Sequence, residues 1–351
     1  MLSNKVKQLV NGLPKAFFSM TTGTKSKYFD LNAHVRHVNV TYQAGEKMTK
    51  PTRITTGYID ITSKNPRVTV VGLVGSPGSH NDLKYMKVFF EKHNIRLLAF
   101  NWPGSEFSTG GFDNGYHNVE RNAFAKAFLE KLGVNKCPRI IVMGHSRGGE
   151  NALQLSNILA ADNWPVIGAM LINSPGFEGH KGITSRWGLI NFLAFIIKLR
   201  CRAINFFLFP MLDYFYNKMV GLRVADGKVA AAAILPLRTF ALAEQAKSIE
   251  EIKTRPKIKT FYGYGSKDFL IETYISDEFA AAFTGSDHYV IHDKEESQAK
   301  IPQMKESFLS GKQFVTANFT EEGHYLQKTY PEVLIEILNA MIEVDDNKHK
   351  V

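Results

Sequence analysis

The chain reads as an α/β protein, a doubly wound, mostly parallel sheet with an inserted helical cap. Three observations predict this. Continuously apolar runs of strand length recur along the chain, as strands buried on both faces of a parallel sheet require. Amphipathic helical stretches separate them at the spacing of right-handed βαβ crossovers. The alternation then breaks near Pro175 and resumes at residue 256, leaving room for a cap.

In order, "HVRHVNVTYQ" and "RITTGYIDIT" alternate polar and apolar residues, like antiparallel strands with one wet face. The buried runs are "RVTVVGLVG" (67–75), "IRLLAFN" (95–101), "RIIVMG" (139–144), "VIGAMLIN" (166–173), "PKIKTFYGYGS" (256–266) and "KQFVTAN" (312–318). Between or after them lie the helical patterns "NDLKYMKVFFEKHN", "NVERNAFAKAFLEKLG", "GENALQLSNILAAD" and "PEVLIEILNAMIEV". This divides the chain into a basic N-terminal segment (1–32), a first part of the core (33–176), a helical cap (177–245) and a second part of the core (246–351).

Composition narrows the class. Two cysteines, Cys137 and Cys201, are too few for a disulfide framework and have no partners at metal-ligand spacing, so they read as packed thiols in a reducing compartment. Residues 1–29 hold five lysines and no acid, with apolar residues at near-helical spacing but no continuous apolar core for a secretory signal. The reading is therefore intracellular and not secreted. A cytoplasmic basic tail ranks first and a mitochondrial presequence, poorly supplied with Arg and Ser, second. No G-x-x-x-x-G-K-[ST] or H-E-x-x-H occurs, so neither nucleotide, metal nor other cofactor is implied.

The chemistry centres on "RIIVMGHSRGGENALQL" (139–155), where Gly144-His145-Ser146-Arg147-Gly148 stands between a buried strand and a helix. In that context G-x-S-x-G is a nucleophile elbow: a sharp turn lifts the serine hydroxyl clear of the sheet, and Gly144, Gly148 and Gly149 give the backbone room. A serine needs a base, and the base needs a group to set its tautomer. Both should lie just beyond carboxyl ends of strands. Asp268 follows the strand at 257–264, and His324 follows the last strand, giving the chain order Ser146, Asp268, His324. Glu272 and Asp277 read as solvated helix residues. His145 is expected to point away from the nucleophile's partner, His34 and His37 lie on a strand facing opposite sides, and His288 and His292 fall in a polar stretch without a strand end.

An oxyanion needs two donors. The elbow itself supplies the backbone N–H of Arg147. The loop "VGSPGSHND" (74–82) would supply that of Ser76, with His80 as a loop or capping residue. The plainer alternative is an ordinary strand-to-helix loop capped by Asn81 or Asp82.

Together these segments resemble the α/β-hydrolase superfamily over about residues 35–345. "GSPGS" is similar to its oxyanion loop H-G-x-P-G, "NWPGSEFSTGG" to its D-x-P-G-x-G-x-S loop, and "GHSRGG" and "GHYLQKTYPE" to its elbow and terminal histidine segments. The likeness is nearest to a nematode group of unsettled activity. It implies a serine-nucleophile, capped, esterase- or lipase-like hydrolase. Val74 and Asn101 depart from the usual His and Asp, and Ser146 disfavours the epoxide hydrolase and dehalogenase chemistries that use Asp there. The 56 positions from Asp268 to His324 are long for the family, with "HDKEESQAKIPQMKESFLSGK" as an insertion.

Residues 180–245 carry nine Lys and Arg against three Asp and Glu, a net of +6 within a chain of +10. Nine aromatics fall between Trp187 and Tyr216, among them Phe192, Phe195, Phe206, Phe207, Phe209 and Phe215. Two readings compete. Either these residues seal the cap onto the core around a closed apolar pocket, or a basic-aromatic face docks peripherally on an anionic membrane. Both predict a small hydrophobic ester or lipid as substrate. Nucleic acid is not expected, because no binding motif accompanies the charge. The expected function is cleavage of a carboxylic ester, thioester or amide through an acyl-enzyme on Ser146. The alternative is a non-catalytic ligand-binding or scaffold protein of the same fold.

Overall fold

A computed structural model describes residues 31–348 apart from 45–50, 63–64, 113 and 221–223. The basic N-terminal segment falls outside the described residues except for the turn that opens at Leu31.

Nine strands form one sheet: β1 (Arg36–Tyr42), β2 (Thr52–Ile61), β3 (Thr69–Leu73), β4 (Arg96–Phe100), β5 (Ile140–His145), β6 (Val166–Ile172), β7 (Lys259–Gly265), β8 (Asp287–Ile291) and β9 (Phe314–Phe319). Their spatial order is β1-β2-β4-β3-β5-β6-β7-β9-β8. β1 pairs antiparallel with β2, and β2 with β4; every other pairing is parallel. Every residue of β3, β5, β6 and β7 is buried, as a sheet covered on both faces demands, whereas β1 alternates toward solvent. The alternating and continuous patterns in the sequence thus mark the antiparallel edge and the parallel centre respectively.

The helices are α1 (Lys87–Lys92), α2 (Asn118–Lys131), α3 (Arg147–Ala161), α4 (Lys181–Thr184), α5 (Trp187–Lys198), α6 (Arg202–Tyr214), α7 (Gly227–Ile234), α8 (Leu242–Lys253), α9 (Thr273–Ala281), α10 (Lys294–Leu309), α11 (Leu326–Thr329) and α12 (Pro331–Lys348). α3 packs on β5 and β6 and against α2 and α8, while α12 packs on β6 and against α1 and α10. Among the described residues the segment between β6 and β7 forms helices, α4 to α8, joined by turns, and no strand. Three of these helices form a second apolar cluster, with Ile190, Ala194 and Ile197 of α5 meeting Leu208 and Leu212 of α6 and the alanines of α7. Asp226 starts α7 by accepting the Val229 N–H at 2.8 Å.

Four expectations change. Residues 287–309 are a complete strand and helix, β8 and α10, with Asp293 capping the helix through the Glu296 N–H. His288 therefore sits on a strand and His292 directly follows its end. β8 was hard to read because it is an edge strand with alternating exposure and a polar side. His34 closes a short 3-10 turn, so only His37 is on a strand. Cys201 is exposed between α5 and α6, not packed. Finally, most of the aromatics do not seal the helical segment onto the core: Phe192, Phe195, Phe206 and Phe207 are all exposed, whereas Phe209 packs on Phe112 and Tyr216 is buried.

Candidate active site

The elbow is built by steric necessity. A Cβ on Gly144 would stand 2.1 Å from the Gly148 carbonyl oxygen, and one on Gly148 would stand 2.1 Å from that of Leu73. On Gly149 it would meet the Ser174 side chain at 2.7 Å. Only glycine lets α3 start this close to β3 and β5. Ser146 itself has φ 54° and ψ −130°, a conformation that a side-chain-bearing residue adopts only when its surroundings impose it. Those surroundings include its N–H donating to the Ile172 carbonyl at 2.8 Å and its carbonyl accepting from Gly149 at 2.8 Å.

Asp268 and His324 meet across the ends of β7 and β9. The His324 Nδ1–H donates to Asp268 Oδ2 at 2.6 Å, with both side chains almost fully buried. The other carboxylate oxygen accepts the N–H groups of Leu270 at 2.8 Å and Ile271 at 3.2 Å. Burial by itself would raise the Asp268 carboxyl. The facing imidazole and these donors outweigh it and hold the group below the usual carboxylate range. A carboxylate kept ionised against His324 fixes the proton on Nδ1 and leaves Nε2 as a base.

The loop after β3 lies over the serine. A Cβ on Gly75 would come 3.0 Å from Ser146 Cβ and 3.5 Å from its Oγ, so glycine is needed for this approach. Trp102 holds the loop by donating from Nε1 to the Val74 carbonyl at 2.8 Å. Asn101, the departure noted from the sequence, accepts the His80 N–H at 3.1 Å and donates to the Gly57 carbonyl at 2.7 Å. It thus ties this loop to β2 without a charge. The helical turn that follows is capped by Ser79, which accepts from the Asn81 N–H, rather than by Asn81 or Asp82. The Arg147 N–H, at the first position of α3, has no intrahelical acceptor to reach.

Beside this loop opens a cavity of about 690 Å³. Gly75, Ser76, Trp102 and Tyr325 line its floor, while Val224, Val229, Ala232, Ala233 and Pro236 from the α6–α8 region form an apolar roof. The remaining wall is polar, with Asn81, Asp82, Lys84 and Glu106. Burial raises the Asp82 carboxyl to about 7, against the opposing pull of the Ser79 N–H, Lys84 and His324. The wholly apolar pocket expected from the sequence is therefore replaced by a two-sided one.

Three contributors are not evident from sequence. Asn173, at the end of β6 with φ 44°, donates to Asp268 Oδ2 at 3.1 Å. His145 does not point away: its Nε2–H donates to the His324 carbonyl at 2.7 Å and its ring lies 4.9 Å from that of His324. Burial, and then the neighbouring His324, depress His145 to about 3, so it stays neutral. The Arg147 side chain reaches out of the elbow to the helical segment. Its guanidinium donates to the carbonyls of Pro236, Thr239 and Tyr116 and lies 4.3 Å from the Phe240 ring centroid. Burial lowers it to about 10, with the nearby Glu150 carboxylate pulling the other way. Asp277 is not merely solvated either, since it accepts the Tyr264 hydroxyl at 2.5 Å.

Residues 34–343 match the family described as alpha/beta hydrolase of unknown function, DUF1057. The chain belongs to it. An uncharacterized Caenorhabditis elegans protein, F35H12.5, is 54% identical over 323 residues, covering 92% of this chain and 90% of that one. That relative agrees with the nematode likeness of the motifs. Among solved structures, the esterase EaEST from Exiguobacterium antarcticum is similar with a TM-score of 0.54 at 17% identity, covering 87% of this chain and all of that one. The haloalkane dehalogenase AncHLD2 is similar with a TM-score of 0.57 at 14% identity, covering 89% of this chain and 99% of that one. Identities this low show the α/β-hydrolase fold alone. Because the fold carries both chemistries, the side chains of this DUF1057 site have to distinguish them.

Proposed function

We propose that this α/β-hydrolase cleaves a carboxylic ester, thioester or amide by a serine mechanism. The observation that supports the reading is the buried 2.6 Å pair of Asp268 and His324 at the strand ends, together with the strained Ser146 at the end of β5. Ser146 Oγ attacks the carbonyl carbon while His324 Nε2 takes its proton, and Asp268 steadies the imidazolium. The backbone N–H groups of Arg147 and Ser76 hold the oxyanion as the tetrahedral centre forms. The proton then passes to the leaving group, and water activated by His324 hydrolyses the acyl-enzyme. A serine at the elbow favours this route over the alkyl-enzyme route that requires a carboxylate there.

The helices between β6 and β7 act as the cap. Their apolar roof over a polar wall suits a substrate with a hydrophobic chain and a more polar partner across the scissile bond. A fluorophosphonate probe tests the mechanism. We expect covalent labelling that disappears in Ser146→Ala and falls steeply in His324→Gln. A folded protein that takes no label would overturn the proposal and favour a non-catalytic binding role.

A further inference from the structure

We infer that the α5–α6 hairpin is a membrane-docking surface that seats the protein on an anionic lipid bilayer, an inference that goes beyond the proposed chemistry. Of the seventeen exposed large hydrophobic side chains among the described residues, eleven lie between Trp187 and Phe215. The other six lie far apart in the sequence, two of them, Val119 and Ile158, in one pocket between α2 and α3.

Helical periodicity sets most of these side chains apart from the packed stripe. The inner stripe, Ile190, Ala194 and Ile197 on α5 with Leu208 and Leu212 on α6, is buried against the rest of the segment. An amphipathic helix would be polar on the opposite side. Here that side carries Phe192, Phe195, Leu199, Phe206 and Phe207 instead, with Phe206 and Phe207 at 74% and 75% exposure. Helices that are apolar all round are buried in protein or in lipid, and no described residue covers these exposed side chains.

Charge selects the occupant. From Gly179 to Leu212 the chain holds five Lys or Arg and no Asp or Glu. Lys198 and Arg202 are exposed at the two ends of the hairpin turn, next to the aromatic side chains. The acids that follow are engaged elsewhere, Asp213 accepting from Asn217 and Asp226 capping α7. Aromatic and aliphatic side chains that enter the acyl boundary, rimmed by cations at headgroup level, fit the surface of an anionic leaflet. Among the described residues no single helix is long and apolar enough to cross a membrane, so this contact is peripheral. Because α6 packs on α7, the helix that lines the cavity roof, docking would set the cavity close to the lipid surface.

The test is co-sedimentation of the full-length Ser146→Ala protein with vesicles of phosphatidylcholine alone or mixed with phosphatidylserine. Binding to the mixed vesicles is expected, weakening as salt is raised. The Phe206→Ser/Phe207→Ser variant should bind at least about tenfold more weakly. Replacing Lys198 and Arg202 by Gln should cost about fivefold for each charge removed on anionic vesicles only. Absence of binding at low salt, or binding untouched by the Phe substitutions, overturns the inference. So does a dimer in size-exclusion chromatography that the same Phe substitutions dissolve without any vesicle binding, since the face would then join two copies. Vesicle binding needs no turnover, so its failure leaves the hydrolase reading standing, and failure of probe labelling leaves docking standing.

Discussion

His145→Gln should remove an acid sensitivity that the wild-type fold carries beneath its active site. In the folded protein the buried His145 ring binds a proton only near pH 3, whereas in the unfolded chain it does so near its ordinary 6.5. Between these values the unfolded state holds a proton that the folded state refuses, so stability falls as the pH falls. Each unit of that interval is worth about 1.4 kcal/mol. From pH 7 to pH 5 the wild type should therefore lose about 2 kcal/mol through this group, and about 3 kcal/mol by pH 4. Gln keeps an N–H donor but cannot take up the proton. It should start less stable at pH 7, through poorer packing against His324 and Tyr325, and then close the gap as acid is added. Urea unfolding of both proteins from pH 7 to pH 4 measures this, with slopes checked for constancy. Losses that run parallel across the range would refute the argument that the ring is held neutral.

Two further perturbations test the elbow and its attachment. Gly148→Ala puts a methyl 2.1 Å from the Leu73 carbonyl oxygen and should cost at least about 3 kcal/mol, whereas Gly188→Ala, with nothing within 4 Å, should be neutral or up to about 1 kcal/mol stabilising; urea midpoints decide. Arg147→Met leaves Glu150 buried beside an uncharged neighbour and frees the carbonyls of Pro236, Thr239 and Tyr116, so a loss of about 3 kcal/mol or more is expected, with faster proteolysis between β6 and β7. A loss below about 1 kcal/mol would mean that the guanidinium does not hold this segment.

What the sequence made legible here is what local sterics and periodicity control. The glycines of "GHSRGG" can be read because a Cβ at any of them collides with backbone or with Ser174, whatever else the chain does. The central strands can be read because burial on both faces leaves no polar position along them. Asp268 and His324 were found because each follows a strand that ends at the same edge of the sheet, and a parallel sheet gathers those ends. Features that depend on a distant partner left no such trace. β8 looks polar because it is an edge strand, and the aromatic run of α5 and α6 reads the same whether it faces a core or solvent. Arg147 shows the division within one residue. Its position in the motif is enough to give its backbone N–H the proposed role of oxyanion donor, because the elbow alone sets where that group points. Its side chain reaches carbonyls 89 and 92 residues away, a role that exists only once the helices between β6 and β7 are in place. The same residue thus joins the proposed oxyanion donor to the segment that roofs the cavity, through side-chain bonds to Pro236 and Thr239.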